Sequence, residues 1–262
     1  MNLDTKDVRE RILGAWIEAA GYLCTLQGMP SVMRLGAAWL EQAAAPFRNP
    51  VPRAFEYTKM FYGLADDRDA VLGAVAGALD RPDEEHVLNV FGADGEAVAC
   101  DFADAGYECA WTFSLFGFEP VGKLPQPRTD DPNWELRAVR DTADVDAINA
   151  ESPELPSHAE LLGDPRAYEV MVLDSERAIA KGYFVEGLPG IVHVLGMFTV
   201  PDYRQRGLAR AVIDALHLEA QRRGAELCVL NPSLMAAERG VYPALGYRTL
   251  MYGARLVPAK PA

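Results

Sequence analysis

Apolar positions recur every three to four residues near the start of the chain. Val8, Ile12, Trp16, Ala19 and Leu23 fall on one face, which predicts an amphipathic helix over about 5–25. Extended pieces over about 32–40 and 53–62 follow, then a helix over about 67–80, a strand over about 86–92, a short helix over about 99–106 and a strand over about 107–117. The pattern then breaks. "VGKLPQPRTDDPNW" (121–134) carries Pro125, Pro127 and Pro132 and few large apolar residues, so it is the expected linker. After it come a strand "WELRAV", a helix "DTADVDAINA" and a short helix opened by Ser157 with Glu160 three residues on, a capping box. Strands "YEVMVLD", "RAIAKGYFVEG" and "GIVHVLGMFTV" follow. The chain closes with a helix to about 223, strand "AELCVLN", helix "LMAAERGVYPAL" and strand "YRTLMYGARLV".

The two halves share a register. "DAVLGAVAGAL" (69–79) matches "RAVIDALHLEA" (210–220), "VLN" recurs at 87–89 and 229–231, and "AGYECAWTFSL" (105–115) matches "LGYRTLMYGARL" (245–256). Three matches in one order, at offsets of 140 to 142 residues, point to an internal duplication. The expected fold is α/β, with one lobe over 1–125 and a second over 132–262.

Composition narrows the partners. Half of the 262 residues are apolar, enough for a substantial core. The net charge is −13, with 11 basic against 20 acidic residues up to position 130 and 14 against 18 after it. Such a chain is a poor general binder of nucleic acid or of an anionic membrane, so an anionic ligand needs a local device. The longest uncharged apolar run, "AVLGAVAGAL" (70–79), is too short to span a bilayer. Cys24, Cys100, Cys109 and Cys228 form no C-x-x-C pair and no zinc spacing, so reduced thiols, a cytoplasmic setting and no metal are expected.

The local device is "PDYRQRGLARAVI" (201–213). Leu208, Ala211, Val212, Ala215 and Leu216 make the helix after Gly207 amphipathic, and a strand runs into it. Arginines therefore sit at a helix N-terminus, the wrong end for cations. Backbone N–H groups there lack intrahelical partners. An anion repairs both faults, and Gly207 lets a phosphate approach the backbone. No Gly-Lys-Ser/Thr follows and G-x-G-x-x-G is missing, which disfavours a P-loop or a Rossmann fingerprint.

Arg204-Gln205-Arg206-Gly207-Leu208-Ala209 resembles the Q/R-x-x-G-x-G/A pyrophosphate loop of the GNAT superfamily, the acetyl-coenzyme A-dependent N-acyltransferases. "LGMFTVPDYRQRGLARAVI" is similar to that family's strand–loop–helix, and "VYPALGYRTL" (241–250) to its late tyrosine followed by Gly-aromatic. The resemblance covers residues 134–257 directly and 30–118 through the weaker repeat. It implies two GNAT-like lobes, each a mixed, mostly antiparallel sheet flanked by helices. In the second lobe the strands at about 190–200 and 225–231 splay apart to admit acetyl-coenzyme A. The pantetheine arm would pair with backbone at Phe198, Thr199 and Val200, and the pyrophosphate would lie on Arg204, Gln205, Arg206, Gly207, Leu208, Ala209 and Arg210. Many members carry an asparagine seven residues before the tyrosine. Here that position is Met235, and Asn231 or Ser233 is the substitute expected. Shifted back by 141, "RQRGLA" lands on "GLADDR" (63–68), whose Asp66 and Asp67 would repel a diphosphate. The first lobe is therefore expected to be a degenerate copy without cofactor.

The resemblance implies N-acetyl transfer to a primary amine of a small molecule or peptide, by direct attack in a ternary complex. A non-catalytic coenzyme A-binding protein and a nucleotide-phosphate binder of another class are the alternatives. Tyr242 matches the family tyrosine that protonates the leaving sulfur. His193 falls where histone-type members place a glutamate base, with Glu186 and Glu151 as runners-up. A lysine-like amine is neutral about once in 2,500 molecules at pH 7, so a base matters for it. His158 is placed to overhang the acceptor pocket. Cys228 reads as buried packing, His217 as solvated and His86 as structural. Trp16, Trp39 and Trp111 read as core or interdomain packing. A monomer or homodimer is expected.

Overall fold

The computed structural model describes residues 5–26, 32–48, 56–81, 84–232 and 240–259. The chain divides into two compact units: Met1–Gly117 with Asn231–Ala262, and Phe118–Leu230. Ser233 and Met235, and part of the predicted helix 234–245, lie outside the described residues.

In the first unit the elements are α1 (Lys6–Leu26), β1 (Val32–Leu35), β2 (Ala38–Arg48), β3 (Glu56–Leu64), α2 (Arg68–Ala78), β4 (His86–Gly92), α3 (Gly95–Asp101) and β5 (Tyr107–Phe118). The helix expected at 99–106 is thus α3 and a separate 3-10 turn at Ala103–Ala105, closed by Gly106 in a left-handed conformation. α2 is the crossover that lets β3 and β4 run parallel. β4 is buried along its whole length, and Phe61, Val71, Val75, Leu88 and Phe102 form the core around it. Trp16 of α1 packs edge-on against Tyr62 and Phe91, each at 5.4 Å between centroids.

The last strand, β11 (Arg248–Pro258), pairs antiparallel with both β4 and β5. The compact units therefore differ from a division at 125–132: the C-terminal strand belongs with the first hundred residues. The register of β5 with β11 bears on the repeat. Thr112 faces Ala254 and Phe113 faces Gly253. A shift of 141 takes Thr112 to Gly253 and Phe113 to Ala254. Under that shift Thr112 faces the position matching Phe113, and Phe113 the position matching Thr112, a reciprocal register.

The second unit begins with the supposed linker, which is packed. Leu124 is buried, and Gln221 Nε2 donates to the carbonyls of Pro120 and Gly122 at 2.8 Å each. β6 (Trp134–Ala138), α4 (Thr142–Glu151), β7 (Ala167–Asp174), β8 (Arg177–Leu188), β9 (Ile191–Thr199), α5 (Leu208–Arg222) and β10 (Leu227–Leu230) follow. The sheet runs β10-β9-β8-β7-β6. Only β9 and β10 are parallel, joined by the α5 crossover. α4 covers one face through Ile148 on Met171, Leu173 and Ala178. α5 covers the other, where Gly182 leaves room for Val212. The linker runs beside α5, and the ring of Phe118, just ahead of it at the end of β5, stacks on His217 at 3.9 Å. His217 is therefore buried, not solvated, and desolvation lowers its pKa to about 3. Ser157 does not cap the short helix Ala159–Leu161. His158 is the N-cap residue, and the Ser157 hydroxyl donates to Glu169 instead.

Arg137 holds Asp144 in a two-pronged pair at 2.6 and 2.7 Å, and Asp144 also accepts from the Arg140 amide at 2.8 Å. The arginine keeps this carboxyl below its ordinary range. A depressed carboxylate contributes fully above its unfolded pKa, and the contribution fades as pH falls through the folded one. Asp144→Ala should lower stability at pH 7 by about 2 kcal/mol. In urea unfolding, that deficit should shrink below about pH 4.

Candidate active site

The site is built around the exit from β9. Its ladder with β10 holds at three positions, Leu227 with Ile191, Cys228 with Val192 and Val229 with His193. β9 continues to Thr199 while β10 ends at Leu230, so the strands part after His193. On its other edge β9 stays paired with β8, up to Ala180 with Thr199, and the Val200 amide donates to the Ile179 carbonyl at 2.9 Å. Phe198, Thr199 and Val200 thus form a held strand end beside an opening.

A 3-10 turn at Pro201–Tyr203 leads into the loop. Gln205 has φ 63° and Gly207 φ 79°, two left-handed residues that turn the chain into α5. Gly207 is the N-cap and has no side chain to cap with. The first turn of α5 contains no acidic residue. The amides of Leu208, Ala209 and Arg210 therefore start the helix without a partner from their own N-cap, while Ala211 begins the ladder to the Gly207 carbonyl at 3.0 Å. Such a start favours an anion by its dipole and by the absence of a side-chain cap at Gly207.

The arginines do different things. Arg204 Nε donates to the Thr199 carbonyl at 3.2 Å, tying the loop to the strand end. The Arg206 guanidinium lies 5.3 Å from the centre of the Tyr203 ring. Tyr203 is itself fixed by a 2.8 Å bond from its hydroxyl to Asp174. Sequence reasoning missed Asp130. A Cβ built on Gly207 would lie 2.9 Å from Asp130 Oδ2, so the linker brings a carboxylate to this spot. "DD" in a proline-rich segment gave no signal of that.

The candidate bases fare differently. His193 is buried, and desolvation lowers its pKa to about 3, so it is a neutral imidazole and a weak base at pH 7. Glu186 accepts from the Gly190 amide at 3.1 Å within the β8–β9 turn. Glu151 is clasped by Arg177 at 2.8 and 2.9 Å. Cys228 is buried, and burial pushes its thiol up, as a packing role requires. Two charged residues inside apolar strands went unremarked: Glu169 in "YEVMVLD" and Lys181 in "RAIAKGYFVEG". The structure joins them in a buried pair at 3.5 Å.

Tyr242 and Asn231 belong to the other compact unit. Tyr242 sits on the short helix α6 (Val241–Ala244), with the rings of Tyr247 and Phe116 at 5.8 and 6.5 Å. Burial raises its hydroxyl pKa. Asn231 is exposed and directly follows β10. Among the described residues no cluster of metal-binding side chains occurs, and no helix is long and apolar enough to cross a membrane.

Gly207→Ala should destabilise the protein by about 1 kcal/mol, through the left-handed backbone. Crowding against Asp130 is the smaller effect, because an exposed carboxylate can swing away. The deficit should persist when Asp130→Ala is added, measured by urea unfolding.

Comparison with known proteins agrees with this geometry. Residues 166–249 match the acetyltransferase (GNAT) domain family. No curated protein sequence matches the chain. The fold is similar to that of a GCN5-related N-acetyltransferase from Kribbella flavida. That match has a TM-score of 0.64 and 16% identity, over 93% of this chain and 95% of that one. A GCN5-related N-acetyltransferase from Sphaerobacter thermophilus gives 0.56 at 14% identity, over 86% and 79%. A GCN5-related N-acetyltransferase-like protein from Streptococcus suis 89/1591 gives 0.53 at 13% identity, over 94% and 96%. The matched stretch encloses β9, the parted strands and the loop at Gly207, so it is this part of the chain that is similar to an acetyltransferase (GNAT) domain.

Proposed function

We propose that the chain moves an acetyl group from acetyl-coenzyme A to a primary amine of a small molecule or peptide, by direct attack in a ternary complex. The observation that carries this is the start of α5, a helix end with no cap of its own beside a parted pair of strands. On this reading the backbone of Phe198, Thr199 and Val200 pairs with the pantetheine arm. The amides from Gln205 to Arg210 hold the diphosphate, and Arg204 and Arg206 add positive charge. The donor supplies an acyl carbon bonded to a good leaving thiolate. Tyr242 returns a proton to that thiolate. His193 packs, since its burial and low basicity do not suit it to deprotonating an amine. The net charge of −13 favours a cationic acceptor over nucleic acid.

The two halves are read as copies of one ancestral lobe. Each contains a strand, a 3-10 turn, a helix and a parallel strand in that order. At the start of α2 the first copy has Asp66 and Asp67, paired with Arg9 and Lys6 of α1. Acidic residues with their own cations there favour a bracing role over donor binding.

Acetyl-coenzyme A should raise the melting temperature, and Gly207→Glu should remove that rise. A larger shift with ATP or NAD would overturn the assignment of the loop. Tyr242→Phe should slow thiol release by about 10²-fold or more while leaving donor affinity nearly unchanged. Equal losses in both would remove Tyr242 from the chemistry.

A further inference from the structure

Two lysines are buried among the described residues, and they are treated differently. Lys59 is fully served: its Nζ donates to the Ala78 carbonyl at 2.9 Å, to Asp80 at 2.9 Å and to Glu84 at 3.2 Å. Lys181 is more deeply buried, at 1% exposure. Its Nζ has one ion-pair partner, Glu169 Oε1 at 3.5 Å, the limit of hydrogen bonding, and both atoms lack a hydrogen bond. Glu169 Oε2 is held by the Ser157 hydroxyl. A buried pair kept only for stability needs close geometry and satisfied hydrogens. Spare hydrogen-bonding capacity on a buried polar group calls for another explanation.

The position of the pair supplies one. Lys181 pairs across the sheet with Phe198, and Tyr183 with Leu195, so β9 spends three steps where β8 spends two. This is a bulge at Gly196, whose φ is 57°. A Cβ on Gly196 would lie 3.3 Å from Lys181 Nζ and 2.3 Å from the Tyr183 ring. The amine of Lys181 therefore lies against the bulge. On the reading proposed above, the donor's arm runs from the Gly207 loop along β9 toward lower residue numbers. Four residues of strand, from Val200 to Gly196, cover about 13 Å, which brings the reactive end of the arm toward the bulge.

We propose that Lys181 is the base that takes the proton of the acceptor amine at the Gly196 bulge, with Glu169 and Ser157 holding it in place. This rests on the acetyl-transfer reading. The acceptor ammonium gives a proton to the neutral lysine amine. The freed lone pair forms the N–C bond to the acyl carbon as the C–S bond breaks; the nitrogen then gives up its second proton, and the departing thiolate takes one up. The titratable groups that face Lys181 among the described residues are Glu169 on β7, Tyr183 on β8 and His158 ahead of the short helix. Burial lowers the lysine and raises Glu169, while the pair's mutual attraction opposes both. Burial also pushes Tyr183 up to about 12, so it stays neutral.

The test compares Lys181→Met with Lys181→Arg, which keeps the charge but cannot accept a proton. With a lysine-like acceptor both should lose about 10²-fold or more in kcat/KM, and with an amine of pKa near 8 much less. Glu169→Gln should move the acid limb of the pH profile to lower pH, because the carboxylate no longer favours the charged lysine. The double variant Glu169→Gln/Lys181→Met leaves no lone buried charge and should show the same loss as Lys181→Met. A rate restored by arginine, or an acid limb that does not move, overturns the assignment. The 13Cε signal of Lys181, identified by its loss in Lys181→Met, reads the protonation state without turnover. A neutral lysine at pH 8 supports the proposal, and titration near about 10.4 refutes it. Should the wild type acetylate no amine, the transferase reading falls, and the carbon signal still decides whether Lys181 holds a neutral amine.

Discussion

The second unit depends on how α5 begins. A helix that starts at a left-handed glycine, with no side-chain cap from it and no acidic first turn, has a positive dipole end that its own sequence does not offset. Nearly every neighbouring feature supports that end. β8 pins the strand before it, Arg204 ties loop to strand, and Asp174 fixes Tyr203 beneath Arg206. The linker lies along the helix, held at Gln221 near one end and reaching Gly207 with Asp130 at the other. The helix is about 22 Å long, so these contacts reach from one end of it to the other. A groove of about 490 Å³ lined by Tyr168, Leu218 and Arg222 lies at the C-terminal end of α5, remote from the loop.

The corresponding helix of the first unit shows what the same architecture becomes with the opposite charge. α2 also follows a 3-10 turn after a strand that runs parallel to the next. The two residues just before it are aspartates, and α1 provides the cations. Carboxylates suit the dipole at a helix start, so this end is electrostatically settled without a ligand.

Strands, helices and the loop were legible because they rest on local periodicity and on glycine. "RQRGLA" between an apolar strand and an amphipathic helix announces both the turn and the exposed amides. What the sequence hid depends on contacts between distant residues. Ser157 and Glu160 have the spacing of a cap, but Glu169, twelve residues on, captures the serine hydroxyl. His217 lies on a nominally polar helix face, and only the path of the linker buries it under Phe118. His193 occupies a suggestive register, yet its basicity is set by surroundings that spacing does not encode. Lys181 and Glu169 were visible as charges in apolar strands. Their meeting required the diagonal geometry of β7 and β8 and the bulge opposite.

The place of β11 has a bearing on biosynthesis. This strand fills the slot between β4 and β5, more than a hundred residues upstream of it. While the ribosome is still making the second unit, the first has two strand edges with unmet backbone groups and no native partner to meet them. Closing that gap joins segments far apart in the chain, which is entropically slow. The N-terminal half thus reaches its native sheet only after Arg248–Pro258 emerge, and until then its open strand edges invite non-native pairing that a chaperone would suppress.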